Sequence, residues 1–256
     1  MIFRMGCLFV GILVLNSCVF ESKVQQKNTL ESDFDFYPTS TTGVIIQHPY
    51  YALSYSEEHE QAEWVAYKLT SFPMGVGNYE RPYFNEDPKV KTRSAHWRNY
   101  KNSGYDKGHL CPAGDMKFSK EAFESTFLTS NVSPQLPQFN SGIWNRLEQK
   151  VRYWSQKYTT LYVVTGGVLT SDLLNIGFEN VAVPNYFYKI VFIPTDKNPV
   201  MVGFLIPHKE ASNSIFDFVV SVDEIERVTG IDFFPTLEDE LEEKLEQNST
   251  VLKALL

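Results

Sequence analysis

A chain of 256 residues, 43% apolar and 21% charged, has enough apolar material for one sizeable core, which excludes wholesale disorder. Its net charge of −8 argues on average against a polyanionic partner, so such a partner would need a local basic region.

Met1 to Met5 contain Arg4, Gly6 to Leu15 form a short apolar run, and Asn16-Ser17-Cys18 follows. The run is too short for a permanent transmembrane helix and reads as a cleaved export signal. Leu15-Asn16-Ser17-Cys18 looks like a bacterial lipobox, in which Cys18 carries lipid and anchors the chain to a membrane. The competing reading is a plain secretory signal with Cys18 incidental. The expected organisation is a lipoprotein-type signal over 1–18, a flexible tether over 19–40, a folded body over 41–247 and a tail over 248–256. Cys7 lies in the signal, so Cys111 is the one body cysteine; no disulfide is expected, and Cys111 reads as a buried, inert hydrophobe.

The body begins near Val44-Ile45-Ile46. Tyr50–Tyr55 reads as strand or turn, and Glu63–Leu69 alternates like a half-buried strand. Gly75 and Gly77 mark one loop and Asp87-Pro88 another. Residues 89–107 hold six Lys or Arg and a single acid, Asp106, with Trp97 and Tyr100 between them. Such a run is commonly a solvated loop, but here it leads directly into Asp106-Lys107-Gly108-His109, which favours a phosphate-facing surface. Ser119–Phe127 reads as a short helix capped by Ser119. Asn140–Tyr158 reads as a longer one, with Ile143, Leu147, Val151 and Trp154 on one face. Leu161–Thr165, Asn185–Ile193 and Pro199–Ile206 read as strands. Ser221–Thr229 reads as a helix, and Glu238–Glu246 as an acidic amphipathic surface helix around Leu237, Leu241 and Leu245.

The chemistry-bearing residues gather between 106 and 148. A histidine can take a proton from water near neutral pH, and an asparagine carbonyl is a neutral ligand for a hard cation. Together these are the minimum set for metal-assisted phosphodiester hydrolysis. Singly each residue has a plainer role: His109 as a structural histidine among five, Asn131 as a turn residue, Asn140 as a helix N-cap and Glu148 as a solvated helix residue. As a helix, 140–158 brings Glu148 about two turns past Asn140 and within a quarter-turn of the same face, where it could orient a metal-bound water or hold arginine side chains. A zinc or cysteine hydrolase built on His109 and Cys111 has no further ligand or partner spacing to support it.

The run YDKGHLCPAGDM followed by FESTFLTSNVSPQLPQFNSGIWNRLE resembles the DNA/RNA non-specific endonuclease family. The similarity extends from Glu63-Trp64-Val65-Ala66-Tyr67 to Thr229-Gly230-Ile231-Asp232-Phe233-Phe234-Pro235 and covers roughly residues 44–245. The resemblance implies an α+β fold with a ββα-metal (His-Me finger) element and a mostly antiparallel central sheet flanked by helices. It implies His109 as general base and Asn140 as the direct protein ligand of Mg²⁺, or of another divalent cation such as Mn²⁺. It further implies Glu148 as a supporting acid, Asn131 as a supporting amide and Arg81 as the arginine facing the phosphate. Lys107, Arg98, Lys101 and Arg146 are the candidate substrate contacts. Lys107 stands where the family has arginine, replacing a rigid bidentate fork with a mobile point charge. The implied substrates are DNA and RNA, cut with little sequence preference through sugar-phosphate contacts. Two other readings are a silent nucleic-acid binder of the same fold and a structural surface lipoprotein. The assembly state is left open, a homodimer included.

Overall fold

The computed structural model describes residues 1–2, 36–71, 77–195 and 198–247. The signal, Cys18, Gly75 and the tail over 248–256 therefore lie outside the described residues. No helix among the described residues is long and apolar enough to cross a membrane.

The strands in chain order are β1 (Ile45–Gln47), β2 (Ala52–Ser56), β3 (Gln61–Thr70), β4 (Asp106–His109), β5 (Val132–Gln135), β6 (Thr160–Gly167), β7 (Leu174–Ile176), β8 (Val181–Val183), β9 (Tyr186–Ile193), β10 (Val200–Pro207) and β11 (Val219–Val220). The helices are α1 (Lys120–Ser125), α2 (Pro137–Phe139), α3 (Asn145–Tyr158), α4 (Val222–Thr229) and α5 (Asp239–Glu246). Seven strands form the main sheet in the order β1-β2-β3-β6-β9-β10-β11, with every pairing antiparallel. β4 with β5, and β7 with β8, form two separate antiparallel ribbons.

The main sheet is covered on both faces, which corrects the half-buried expectation for β3. Val65, Tyr67 and Leu69 point into one core with Leu147, Val151 and Trp154 of α3, while Trp64 and Ala66 point into another with Val222, Ile225, Phe233 and Phe234. Strand alternation sends consecutive residues of β3 to opposite layers, so the strand reads as almost continuously buried.

Three further expectations are corrected. Residues 36–40, assigned to the tether for their polar sequence, belong to the body. Phe36 packs edge-on against Tyr162 at 4.7 Å between ring centroids, and Trp64 Nε1 donates to Thr39 O at 2.9 Å. Second, the long helix does not start at a capping Asn140. The chain turns helical at Pro137, whose fixed φ suits a first helical position, and Asn140 already has helical angles of φ −58° and ψ −52°. A wide π-type turn over Asn140–Trp144, with Gly142 outside helical geometry, joins α2 to α3. Third, α5 is not wholly a surface helix, because Leu245 and Glu246 are buried. The capping reading at Ser119 holds, its hydroxyl accepting from Ala122 N, and Ser221 caps α4 in the same way by accepting from Glu224 N. α1 ends at Ser125 rather than at Phe127.

Candidate active site

The β4–β5 ribbon and the helix after it form one local unit, with Asp106 opposite Gln135 and His109 opposite Val132. Gly108 lets the Gln135 side chain lie close across the ribbon: a Cβ there would come to 2.2 Å from it and force it to move. The ribbon presents His109 toward the π-turn that carries Asn140. Asn140 Nδ2 donates to Asp106 Oδ2 at 3.0 Å. That bond uses one of the two amide N–H groups and orients the side chain, leaving Oδ1 as its acceptor, which is suited to a hard cation.

A cleft of about 470 Å³ opens over this unit, and His109, Arg81, Asn140, Glu148 and Arg152 all line it, with Tyr79 and Lys117 at its rim. His109 packs against the rings of Phe84 and Phe127, at 5.4 and 5.1 Å between centroids, and those two rings also touch each other. Arg81 lies over the Phe127 ring, 5.5 Å from its centroid. Burial, and secondarily the Arg81 guanidinium, hold the His109 imidazole down at about 3, so the ring is neutral at physiological pH. Its Nε2 is enclosed and has no hydrogen-bond partner among the described residues. The other four histidines are all occupied. His48 meets Asp87 at 2.8 Å, His59 meets Ser56, His96 accepts from Arg98 N, and His208 accepts from Leu136 N.

Glu148 and Arg152, which line the cleft, belong to a charge group of two acids and two bases that the buried Asp115 and Lys189 complete. Arg152, one turn after Glu148 on α3, bonds Asp115 Oδ1 at 2.5 Å and stands 4.0 Å from Glu148 Oε2. Tyr67 Oη donates to the other Asp115 oxygen at 2.9 Å. Lys189 is 0% exposed in the apolar strand β9, with its Nζ 4.9 Å from the centre of the Trp144 ring. Burial pushes Glu148 above the usual carboxylate range; Lys189 and Arg152 oppose the shift and Asp115 adds to it. Burial also lowers Lys189, against the pull of Glu148 and Asp115.

The remaining expected residues fall elsewhere. Asn131 is fully buried and fully used: its Oδ1 accepts from Cys111 N at 2.8 Å, and its Nδ2 donates to Cys111 O and Thr126 O, both at 3.0 Å. It fastens the backbone just past His109 and does not line the cleft. Lys107 lies over Phe84 and Tyr100 and lines a smaller neighbouring cleft with Pro82, Tyr83 and Trp97. Arg98 stacks on Trp97 at 5.4 Å, Lys101 is exposed in a turn, and Arg146 donates to Asn213 O and Ala211 O. The basic stretch thus spreads over the surface instead of converging on the cleft. Cys111 is a buried free thiol whose pKa burial raises, which removes it as a nucleophile.

Arg152 and Lys189 were missed from the sequence. Glu148 and Arg152 carry a helical i,i+4 signature that could have been read. Lys189 offers only the anomaly of one lysine inside Tyr-Phe-Tyr-Lys-Ile-Val-Phe-Ile.

The model of the DNA/RNA non-specific endonuclease family matches residues 34–240. Nuclease EXOG of Danio rerio is 35% identical over 205 residues, 73% of this chain, and the chain spans 60% of that relative's length. Nuclease C1 of Cunninghamella echinulata var. echinulata is 31% identical over 226 residues, covering 81% of this chain and 89% of the relative. Among solved structures, EndoG in its complex with EndoGI superposes with a TM-score of 0.70 at 29% identity, over 77% of this chain and 87% of that one. The antiparallel sheet flanked by helices, with the β4–β5 ribbon leading into α3, is accordingly the α+β, ββα-metal fold. With a family model that matches most of its length, the chain belongs to the DNA/RNA non-specific endonuclease family.

Proposed function

We propose that this protein is a divalent-metal-dependent endonuclease that hydrolyses phosphodiester bonds of DNA, RNA or both with little sequence preference. The observation that carries this reading is the convergence of a neutral, partly enclosed His109, an oriented Asn140 carbonyl and two arginines in one cleft. His109 accepts a proton from water as the water oxygen bonds to phosphorus; the bond to the leaving sugar oxygen breaks, and that oxygen takes a proton from solvent. The Nδ1 side of the ring is the one free to meet that water, since Nε2 is enclosed. Arg81 faces the phosphate and offsets its charge. The arriving anion also offsets the repulsion of Arg81 on His109 and so strengthens the base at the step that needs it.

The donor set fits a hard cation. Asn140 Oδ1 would hold Mg²⁺ or Mn²⁺, with Glu148 the nearby carboxylate, and Asp106 keeps the Asn140 amide in register. When bound, the ion supplies positive charge to the phosphate and the leaving oxygen. One neutral protein ligand makes weak retention of the metal the expectation. Asp115, Arg152 and Lys189 set the charge around Glu148. Asn131, Arg98, Lys101, Lys107 and Arg146 take positioning or outlying roles.

Incubating the chain with plasmid DNA and with RNA, in Mg²⁺ or in EDTA, tests the reading. Cleavage of at least one polymer in Mg²⁺ and none in EDTA is expected. No metal-dependent cleavage of either would leave a silent binder or structural lipoprotein of the same fold. Asp106→Ala frees the Asn140 amide and is expected to raise the Mg²⁺ concentration for half-maximal rate by about 10–100-fold, with the rate recovered at saturating metal. An unchanged metal requirement would show that Asp106 does not hold Asn140 for an ion.

We further propose that the polar sequence before the body tethers the nuclease to a membrane through lipid on Cys18. Cys18→Ser would then release the protein from membranes, and retention of that variant would rule the anchor out.

A further inference from the structure

On the face of the sheet away from the cleft, α4 and α5 pack against each other and against β10. Asp223 and Glu226 of α4 and Glu246 of α5 converge there, each offering a carboxylate oxygen within 4.8 Å of the others. Asp232 and Glu242 stand close enough to act on the same group electrostatically. Among the described residues the ion pairs lie elsewhere and none reaches these five acids.

The buried member sets this apart from an ordinary acidic surface. Glu246 is only 7% exposed, and its enclosed Oε1 has no hydrogen-bond partner among the described residues. The enclosed Oε1 of Glu242 has none either. A carboxylate stripped of water and left without a donor is costly unless something positive meets it. Glu226 differs, because its Oε1 accepts from Phe233 N at 2.8 Å, which fixes the side chain and leaves Oε2 free.

We propose that Asp223, Glu226 and Glu246 form a second divalent-cation site, suited to Ca²⁺, that clamps α5 onto α4. The size of the group favours Ca²⁺. Oxygens bound to one Ca²⁺ lie up to about 5 Å apart, and those on one Mg²⁺ up to about 4 Å. Three carboxylates supply three to six oxygens, and water completes the shell at exposed Asp223. Burial first, and then the neighbouring acids, push Glu246 up to about 8 and Glu226 to about 7, as expected for a group that awaits a counter-charge. The site is separate from the cleft and does not depend on nuclease activity.

The test is thermal unfolding of the full chain in the Asn140→Ala background, which removes the cleft as a competing site, in chelator and in millimolar CaCl₂. Calcium is expected to raise Tm by about 5–10 °C. Glu246→Gln in the same background should abolish that rise and melt in chelator at or above its parent, because one repelling charge is gone. Asp223→Asn, at an exposed position, should fold normally and need more Ca²⁺ for the same rise, which keeps the test open if Glu246→Gln does not fold. A parent without a calcium-dependent rise overturns the proposal, and so does an equal rise in the variants; either result would mean that the acids keep protons rather than an ion.

Discussion

His109→Ala is expected to lower kcat by about 10²–10⁴-fold, with KM and the melting temperature close to those of the parent. The size of the loss follows from the proposed role: His109 is taken as the base that accepts a proton from water, while Arg81 would still face the phosphate and Asn140 and Glu148 would still hold the metal. The small change in stability follows from the packing. The ring touches Phe84 and Phe127, but its enclosed nitrogen makes no hydrogen bond that the substitution would break. Supercoiled-plasmid relaxation in saturating Mg²⁺ gives the rate, and a denaturant melt gives the stability. A variant that nicks plasmid at the parental rate would remove His109 as the base. The acid limb of kcat/KM should also fall below the ordinary histidine range wherever His109 alone controls it, because a depressed pKa keeps the ring neutral to lower pH.

How far the site was legible depended on whether neighbours in sequence were also neighbours in space. Asp106, His109, Asn140 and Glu148 sit on a ribbon and the helix that follows it, so a contiguous motif reported their proximity. Lys189 enters from β9, a long-range partner whose approach only the sheet order β3-β6-β9 reveals. Asn131, expected as a supporting amide, makes three backbone bonds that hold the chain beside Cys111, and a side-chain type and a spacing could not have named those partners. Asn140 shows the converse. Local propensity favoured a helix cap, and Pro137 overrode it by starting the helix earlier, which turned the amide toward Asp106. The strands were legible from Val, Ile and aromatic runs, but their two-sided burial was not, because helices cover both faces of the sheet only after α3, α4 and α5 have docked. The short β7–β8 ribbon, stitched at Ile176 opposite Val181, left no pattern long enough to read.

Arg152→Met isolates the charge group that Arg152 and Glu148 form with the buried Asp115 and Lys189. Asp115 is fully buried, with Arg152 on one oxygen and Tyr67 on the other, so removing the guanidinium leaves a carboxylate with a single neutral donor. Breaking one side of such a pair costs about 3–5 kcal/mol, and Tm should fall by about 6–20 °C. Adding Asp115→Asn to the variant removes the stranded charge and should restore most of the loss, because the two changes share one interaction. Urea unfolding of the two single variants and the double variant measures this coupling; additive losses would show that Asp115 and Arg152 do not depend on each other. The same substitution has a consequence for activity with a fixed sign. Arg152 helps hold the raised Glu148 pKa down, so its loss raises that pKa further, and Glu148 then protonates at a higher pH as the solution is acidified. Activity that needs ionised Glu148 should therefore decline at higher pH in Arg152→Met than in the parent, and Glu148→Gln should abolish the difference. A downward shift of the acid limb would contradict the arrangement, because it would require Arg152 to repel the proton's departure rather than favour it.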